Sequence, residues 1–291
     1  MLKGLIRTMR PKQWTKNVFV FAALAFDRKL TSPLLFAKTV AAFILLCLVS
    51  STVYLINDLV DIEKDRQHPS KRLRPLPSGQ LKPWVAILAA IAIPAICLPL
   101  AFLLNFYVGV IITAYLLMMI AYSFWLKNVV IVDVLTIAAG FVLRVAAGIP
   151  MVHVVRFSPW LYVCTTLLAL FISFGKRRHE LSLLQANANN HRAVLNDYNR
   201  IFLDEMIGVV TASTVMAYSL YTFSAEGLPR NHTMMLTIPF VLYGIFRYLY
   251  LIHVREEGGT PEEIILRDKP FLADVLLWGL SVIIILYFFK P

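Results

Sequence analysis

The sequence predicts an all-α, polytopic membrane protein built from nine spanning helices. The chain of 291 residues is 59% hydrophobic and only 15% charged, whereas a soluble globular domain usually carries more charge. Long apolar runs recur along the whole chain, and about 20 apolar residues suffice to cross a bilayer as a helix. The runs do not alternate between polar and apolar residues, which excludes a membrane β-barrel. We therefore expect one integral membrane catalytic domain that covers residues 1–291.

Nine apolar segments are expected to cross the membrane, of which the first is short and interrupted by charges. They are residues 17–30, 34–56, 83–103, 106–126, 129–149, 159–174, 202–224, 233–254 and 270–289. The longer charged connections are the N-terminus and loops at about 57–82, 175–200 and 253–269. Because cytoplasmic loops are rich in Lys and Arg, these connections are predicted to lie inside, with the N-terminus inside and the C-terminus outside.

Charge, cysteine positions and the N-terminal sequence argue against a nucleic-acid partner, a cysteine metal site and a cleaved signal peptide. The formal net charge of +11 is explained in a membrane protein by cytoplasmic loops and phosphate or anionic-lipid ligands, so no nucleic-acid partner is expected. Cys47, Cys97 and Cys164 lie in apolar runs without metal-ligand spacing, which favours buried apolar side chains. No short apolar region with a small-residue cleavage site follows the basic N-terminus, so a cleaved signal peptide is not expected.

An acidic ladder directly follows the second span: Asn57, Asp58, Asp61 and Asp65, in the pattern NDxxDxxxD. These residues share one face if the helix continues for two more turns. Carboxylates at the C-terminal end of a helix are disfavoured by about 0.3–1 kcal/mol each, because that end of the helix dipole is negative. A bound divalent cation makes the same position favourable for a carboxylate. Oxygen ligands select Mg²⁺ or Mn²⁺ over zinc. The ladder is therefore a predicted metal site, and a solvated helix end with chance acids is the alternative.

Basic side chains gather on the same predicted side of the membrane. Lys71, Arg72 and Arg74 follow the ladder, and arginine binds phosphate oxygens in a bidentate manner. The other candidate substrate-binding residues on that side are Lys16, Asn17, Tyr122, Lys127, Lys176, Arg177 and Glu180. The pattern predicts phosphate ligands next to a metal, although the positive-inside rule alone explains part of it.

Charged and small residues also occur within the predicted spans. Asp133 and Arg144 lie in the fifth span, and intramembrane charges are functional candidates by default. Their alternative role is an internal ion pair. The sequence AAG at 138–140 and 146–148 predicts close approach of neighbouring helices in lipid.

The last charged loop predicts a short helix. Thr260 suits the N-cap and Pro261 the first helical position. Two glycines precede them at 258–259, a residue type that allows backbone mobility. Such a helix could close a site as a lid, and a plain capped helix is the simpler interpretation.

The ladder at the end of the second of nine spans resembles the UbiA superfamily of intramembrane prenyltransferases, over essentially the whole chain. The resemblance implies a nine-helix bundle around a central cavity open to cytoplasm and lipid. In that family two acid-rich motifs bind Mg²⁺–diphosphate. Here the position of the second motif reads GKRRHELSLL, with Glu180 as the one acid among three basic residues. This departure argues against a prenyl diphosphate bound between two metal clusters.

The sequence that departs from the family pattern in this way resembles one branch of the superfamily, the decaprenyl-phosphate phosphoribosyltransferases. The motifs that carry this likeness are RPKQWTKN, NDLVDIEKDRQHPSKRLRP, YSFWLK, GKRRHEL and PEEIILRD. The resemblance implies a Mg²⁺-dependent pentosyltransferase of the bacterial cell membrane, with its active site facing the cytoplasm. It would transfer 5-phosphoribosyl from 5-phosphoribosyl diphosphate to a polyprenyl phosphate, which makes a precursor of cell-wall arabinose.

On this interpretation Asp58, Asp61 and Asp65 take the catalytic role by holding the metal on the diphosphate, with Asn57 orienting. The basic candidates, now including Arg144, bind the phosphates. Two alternatives remain: a UbiA-type prenyltransferase that uses a prenyl diphosphate, and a transporter or lipid-binding protein with charges along a pathway. The gathering of charges at one face disfavours the second alternative. The sequence does not determine the length of the polyprenyl chain or the oligomeric state, and a homo-oligomer is possible.

Overall fold

The structure, a computed structural model, is built from helices. It describes residues 1–67, 71–152, 159–186, 193–225, 227–257 and 261–289, and for 183–186, 193, 196 and 261–263 it describes the backbone only. No β-strand occurs within these ranges, which confirms the all-α class. The predicted loop residues at 68–70, 153–158 and 187–192 lie outside them.

Twelve α-helices are present in the described ranges, connected in part by 3₁₀ turns. They are α1 Leu2–Met9, α2 Ala22–Phe26, α3 Pro33–Val60, α4 Ile62–Gln67, α5 Pro83–Leu104, α6 Phe106–Phe124, α7 Val132–Val152, α8 Pro159–Ala186, α9 Arg200–Ser224, α10 Ile238–His253, α11 Pro261–Arg267 and α12 Lys269–Phe288. The 3₁₀ segments are Pro11–Phe21, Lys71–Leu73, Leu126–Asn128, Ala193–Asp197 and Thr233–Thr237.

Eight helical segments in the described part of the chain are long and apolar enough to cross a membrane. They comprise α3, α5, α6, α7, most of α8, α9, α10 with its preceding 3₁₀ turn, and α12. Each coincides with one of the last eight predicted apolar segments, because uninterrupted apolar sequence of this length is stable in lipid only as a helix. The chain is therefore an integral membrane protein.

The first predicted segment, residues 17–30, is not one long α-helix. The chain instead forms a 3₁₀ segment over Pro11–Phe21 that continues into the five-residue α2. This segment packs closely on α7: a Cβ added at Gly148 would lie 1.9 Å from the carbonyl oxygen of Val20. The close approach predicted for the small residues at 146–148 is confirmed, and it explains how an irregular segment is held in place.

The chain divides into two compact units. The first comprises residues 1–24, 29–154 and 188–194, and the second comprises residues 25–28, 155–187 and 195–291. In the first unit the main apolar core includes Val20, Leu46, Ile112 and Met151. In the second unit an apolar cluster forms around Met234 and the C-terminal half of α12.

Two helix boundaries bear on function. Helix α8 continues to Ala186, well past the predicted end of the sixth span at residue 174, because GKRRHELSLLQA contains mostly good helix formers and no proline. The GKRRHEL segment is therefore helical. Helix α11 begins at Pro261 as predicted, and its predicted cap Thr260 lies outside the described residues.

Cys47 and Cys97 are buried and Cys164 is half-buried, all as free thiols.

Candidate active site

The acidic ladder follows a nearly continuous helical path. Helix α3 ends at Val60, and Asp61 occupies its C-cap with φ −97° and ψ 11°. The amide of Asp61 donates to the carbonyl of Asn57 over 3.0 Å, and the amide of Asp65 donates to the carbonyl of Asp61 over 2.8 Å. These bonds carry the helical spacing across the break into α4. The prediction that the helix continues through the ladder is therefore confirmed.

Two arginines contact the ladder carboxylates of Asp58 and Asp65. Asp58 Oδ1 accepts hydrogen bonds from Arg10 Nη2 at 2.5 Å and from Arg74 Nη1 at 3.3 Å. Arg74 Nη1 also donates to Asp65 Oδ2 over 2.6 Å. The side chain of Asp58 is 2% exposed. Such a buried carboxylate requires compensating charge, and Arg74 supplies it to two ladder residues at once.

Lys127 pairs with the remaining ladder carboxylate, Asp61. It lies on the 3₁₀ turn Leu126–Asn128, and its Nζ donates to both carboxylate oxygens of Asp61 at 2.8 Å. The lysine is only 5% exposed. The structure thus brings together five of the predicted site residues, with Arg10 as an addition.

The ladder fits a divalent cation by the chemistry of its donors. It offers three carboxylates and one amide oxygen, the ligands that Mg²⁺ and Mn²⁺ prefer. In the present arrangement these carboxylates face arginine and lysine, and within the described residues no three Asp, Glu, His or Cys side chains converge as a metal site. A bound cation would therefore either share the carboxylate oxygens with Arg10, Arg74 and Lys127 or take the place of these side chains. Asn57 is half-buried on the last turn of α3, in reach of the same face.

A second polar cluster lies deep in the first unit, around Arg144 of α7. Arg144 Nε donates to Asn17 Oδ1 over 2.8 Å, and its Nη2 donates to the Tyr115 hydroxyl over 2.7 Å. The guanidinium carbon also lies 4.7 Å from the ring centroid of Tyr115 and 5.2 Å from that of Phe141. All three polar residues are buried. Neutral acceptors and aromatic faces thus compensate an intramembrane arginine.

Arg144 does not pair with Asp133, which was the alternative for these two residues. Both lie on α7, eleven positions apart, which corresponds to about 16 Å along a helix axis. Asp133 is fully buried near the start of α7.

The remaining predicted residues of the first unit differ in exposure. Lys16 and Lys71 are half-buried, Arg72 is exposed on the short 3₁₀ turn, and Tyr122 is buried near the end of α6. Of these residues, Arg72 is the most accessible to a soluble ligand.

The basic segment GKRRHEL lies on α8 in the second unit. Arg177 is 1% exposed and donates to Glu180 one turn later. Arg178 Nε pairs with Asp204 at 2.5 Å, and its Nη1 donates to the carbonyl of Ile252 over 2.9 Å. Lys176 is half-buried on the same helix. Part of the basic segment therefore stabilises the packing of the second unit.

Two of these contacts were missed by the sequence reasoning. Arg10 opens the quoted motif RPKQWTKN, but nothing in its spacing relates it to Asp58. The pair of Arg178 with Asp204 joins α8 to α9, and no local pattern predicts it. Both are long-range contacts, which single-sequence patterns do not encode.

Comparison with known proteins identifies the fold and the family. A profile described as the UbiA prenyltransferase family matches residues 17–261. The chain belongs to the UbiA prenyltransferase family. A solved UbiA homologue from Archaeoglobus fulgidus, bound to GPP and Mg²⁺, superposes with a TM-score of 0.73 at 19% identity, covering 97% of this chain and 99% of that one. This likeness supports the UbiA fold.

Two relatives match most of the length of the chain. The decaprenyl-phosphate phosphoribosyltransferase of Mycobacterium tuberculosis is 30% identical over 289 residues, covering 97% of this chain and 94% of that protein. The enzyme of the same name from Corynebacterium glutamicum is 31% identical over 293 residues, covering 98% of this chain and 87% of that protein. The branch indicated by the sequence motifs is thus confirmed as the one that the chain resembles.

Proposed function

We propose that this UbiA-family protein transfers a 5-phosphoribosyl group from 5-phosphoribosyl diphosphate to a polyprenyl phosphate of decaprenyl type. The observation that carries the proposal is the 30% identity, over 97% of the chain, to an enzyme named decaprenyl-phosphate phosphoribosyltransferase. The products are polyprenyl-phosphoryl-5-phosphoribose and diphosphate. The former is a precursor of cell-wall arabinose.

The proposed reaction exchanges one C1–O bond of the ribose for another. An anionic oxygen of the lipid phosphate attacks C1 while the bond from C1 to the diphosphate breaks, and the diphosphate leaves with the electron pair. Because the nucleophilic oxygen carries no proton at neutral pH, no general base is required. The principal demand on the site is to stabilise charge that develops on the leaving diphosphate.

The acidic ladder and its basic partners are proposed to meet that demand. Asn57, Asp58, Asp61 and Asp65 would hold Mg²⁺, or Mn²⁺ with its similar ligand preference. When bound, the cation neutralises charge on the diphosphate. Arg10, Arg74 and Lys127 already lie within 2.5–3.3 Å of ladder oxygens, so they can turn towards diphosphate oxygens without large movement.

The other polar candidates are proposed to bind the remaining phosphates and the sugar. A substrate with phosphate at both ends of its ribose, together with a lipid phosphate, needs more polar and basic groups than the three cations beside the ladder. Those assigned to this role are Lys16, Asn17, Lys71, Arg72, Tyr122, Arg144, Lys176, Arg177 and Glu180. The pairing of buried Arg177 with half-buried Glu180 is proposed to orient the arginine for a phosphate oxygen.

We also propose that residues 11–26 form the ninth span of a single catalytic domain. A 3₁₀ segment rises about 2.0 Å per residue and an α-helix about 1.5 Å, so residues 11–26 reach about 30 Å, the thickness of the hydrocarbon core. Nine spans and the positive-inside rule put the ladder and N-terminus in the cytoplasm and the C-terminus outside. The UbiA cavity would then open to cytoplasm and lipid, in a monomer or a homo-oligomer alike.

The deciding experiment is a transfer assay with purified protein. Radiolabelled 5-phosphoribosyl diphosphate, decaprenyl phosphate and Mg²⁺ are incubated with the protein, and label is measured in the organic phase. We expect label in the lipid that disappears on chelation with EDTA and returns with Mg²⁺. The Asp61→Asn variant should label at least about 100-fold less lipid.

The same assay separates the proposal from its alternative. If no lipid is labelled while the protein turns over a prenyl diphosphate with an aromatic acid, it is a UbiA-type prenyltransferase of another branch. If neither reaction occurs in a folded sample, the proposed transfer is wrong, and the binding or transport alternative is the next to test.

A further inference from the structure

The N-terminal helix α1 packs one side against the first unit. Gly4 and Thr8 are buried, and a Cβ added at Gly4 would lie 3.3 Å from the carbonyl oxygen of Gln80. Leu5 and Met9 pack against the neighbouring apolar cluster. The position of this short helix is therefore set by contacts with the protein.

The other side of α1 carries an exposed apolar stripe next to an exposed basic stripe. Leu2 is 71% exposed and Ile6 is 49% exposed, and the two are neighbours on the helix surface because they are four residues apart. Lys3 and Arg7 are also exposed and form a parallel basic stripe with the same spacing. An apolar stripe next to a basic stripe is the surface pattern of helices that lie in a membrane interface.

The place of α1 in the fold puts these stripes at a membrane boundary. Arg10 follows α1 immediately, donates to Asp58 near the end of α3 and lies 4.9 Å from the ring centroid of Tyr54. Because α3 is a spanning helix, its ladder end marks the level at which the hydrocarbon core gives way to headgroups. Helix α1 lies at that level.

We propose that α1 is an interfacial helix that binds the surface of a bilayer containing anionic phospholipids. Leu2 and Ile6 enter the boundary of the acyl chains, and Lys3 and Arg7 contact lipid phosphates. Charge complementarity identifies the occupant, because basic side chains are attracted to an anionic surface. In a symmetric contact between two copies of α1, the basic stripes would face like charges, which disfavours a second copy. This role goes beyond the proposed catalytic function and does not depend on it.

The test is a site-directed spin-label measurement on the full-length protein in nanodiscs. A nitroxide is attached at Ile6→Cys on a Cys164→Ala background, which removes the half-buried native thiol. Nanodiscs of phosphatidylcholine are compared with nanodiscs that also contain phosphatidylglycerol, which makes the surface anionic. We expect the label to be accessible to oxygen and protected from an aqueous nickel chelate, more strongly with the anionic lipid.

Charge variants test the assignment of the lipid contact. The double variant Lys3→Gln/Arg7→Gln should shift the equilibrium between protected and aqueous label by about 25-fold in anionic nanodiscs, since each basic residue contributes about fivefold. The matched control Lys64→Gln/Lys82→Gln removes two other exposed charges and should leave that equilibrium unchanged. A label on exposed Ser78→Cys should stay aqueous in both lipids.

Three results would overturn the proposal. The first is a label at position 6 that is open to nickel in both lipids. The second is a control pair that shifts the equilibrium as much as the α1 pair, which would assign the effect to overall charge. The third is dipolar broadening between labels, which would show a second copy covering α1.

Discussion

Arg10 and Asp58 are joined by a hydrogen bond of 2.5 Å, although 48 positions separate them in the chain. The contact ties the residue that follows the N-terminal helix to a nearly fully buried ladder carboxylate. Arg74 approaches the same oxygen at 3.3 Å. The ladder is thus a neutralised cluster, because a buried carboxylate without a cationic partner would be strongly destabilising.

Replacing Arg10 is expected to destabilise the protein. In Arg10→Gln the buried Asp58 keeps only its longer contact with Arg74, and a lost hydrogen bond to a charged group costs about 1.5–3 kcal/mol. Thermal unfolding can be followed by labelling of the buried thiols Cys47 and Cys97 with a thiol-reactive dye. The control is Arg66→Gln, whose partner Glu63 is 74% exposed, so little change is expected. Equal shifts in Tm would contradict the role assigned to Arg10.

Replacing Asp61 is expected to remove activity, at some cost in stability because Lys127 loses its charged partner. Asp61→Asn keeps the size of the side chain but removes a proposed metal ligand, and we expect transfer to fall at least about 100-fold. The measurement pairs the transfer assay with electron paramagnetic resonance of bound Mn²⁺. Glu63→Gln removes an exposed acid two residues away and should keep both signals. An Asp61→Asn variant with normal Mn²⁺ binding would exclude Asp61 from the metal site.

Two glycine substitutions should have opposite effects. In Gly148→Ala the new Cβ would meet the backbone of Val20 at 1.9 Å, so the 3₁₀ segment must move and the protein should lose about 1–3 kcal/mol or more. In Gly279→Ala no atom lies within 4 Å of the new Cβ, and the better helix propensity should be neutral or stabilising by up to about 1 kcal/mol. Thermal unfolding of both variants checks this. A tolerated Gly148→Ala would disprove the close packing.

Removing the Tyr115 hydroxyl should destabilise the cluster around Arg144. Tyr115→Phe keeps the aromatic face below the guanidinium but removes the acceptor at 2.7 Å. We expect a loss of about 1.5–3 kcal/mol, the usual contribution of a hydrogen bond to a charged group. Tyr107→Phe, at a position that is 66% exposed, is the matched control. If the two variants unfold at the same temperature, the hydroxyl does not compensate Arg144.

The Asp268 carboxylate should make stability depend on pH. Hydrogen bonds from Arg247, followed by the amide of Phe271, lower the pKa of Asp268 below its usual value. A lowered pKa means that the stabilisation is present above the unfolded value of about 3.9 and is lost as pH falls through the folded value. Asp268→Asn keeps an acceptor for the helix cap but removes the charge. The variant should be less stable at neutral pH, and its difference from the native protein should shrink as the pH falls below the unfolded pKa and through the lower folded pKa of Asp268. A pH-independent difference would contradict this cause.

Local sequence was sufficient for most of the helices and for the chemistry of the ladder. The last eight predicted segments coincide with spanning helices because apolar runs have no other stable form in lipid. The first segment differed, because its conformation depends on packing against Gly148 rather than on its own composition. The end of α8 was placed too early, because the loss of hydropathy at GKRRHEL marks the end of apolar sequence and not the end of the helix.

The sequence by itself determined the membrane class, the spacing of Asn57, Asp58, Asp61 and Asp65, and the family resemblance, because each depends on periodicity or on neighbouring residues. Only the tertiary structure decided which cation meets which carboxylate. It paired Arg10 with Asp58, Lys127 with Asp61 and Arg144 with Asn17 and Tyr115, and it separated Arg144 from Asp133. The physical reason is that buried charges take the partners that helix packing brings within hydrogen-bonding distance, and that packing is a property of the whole chain.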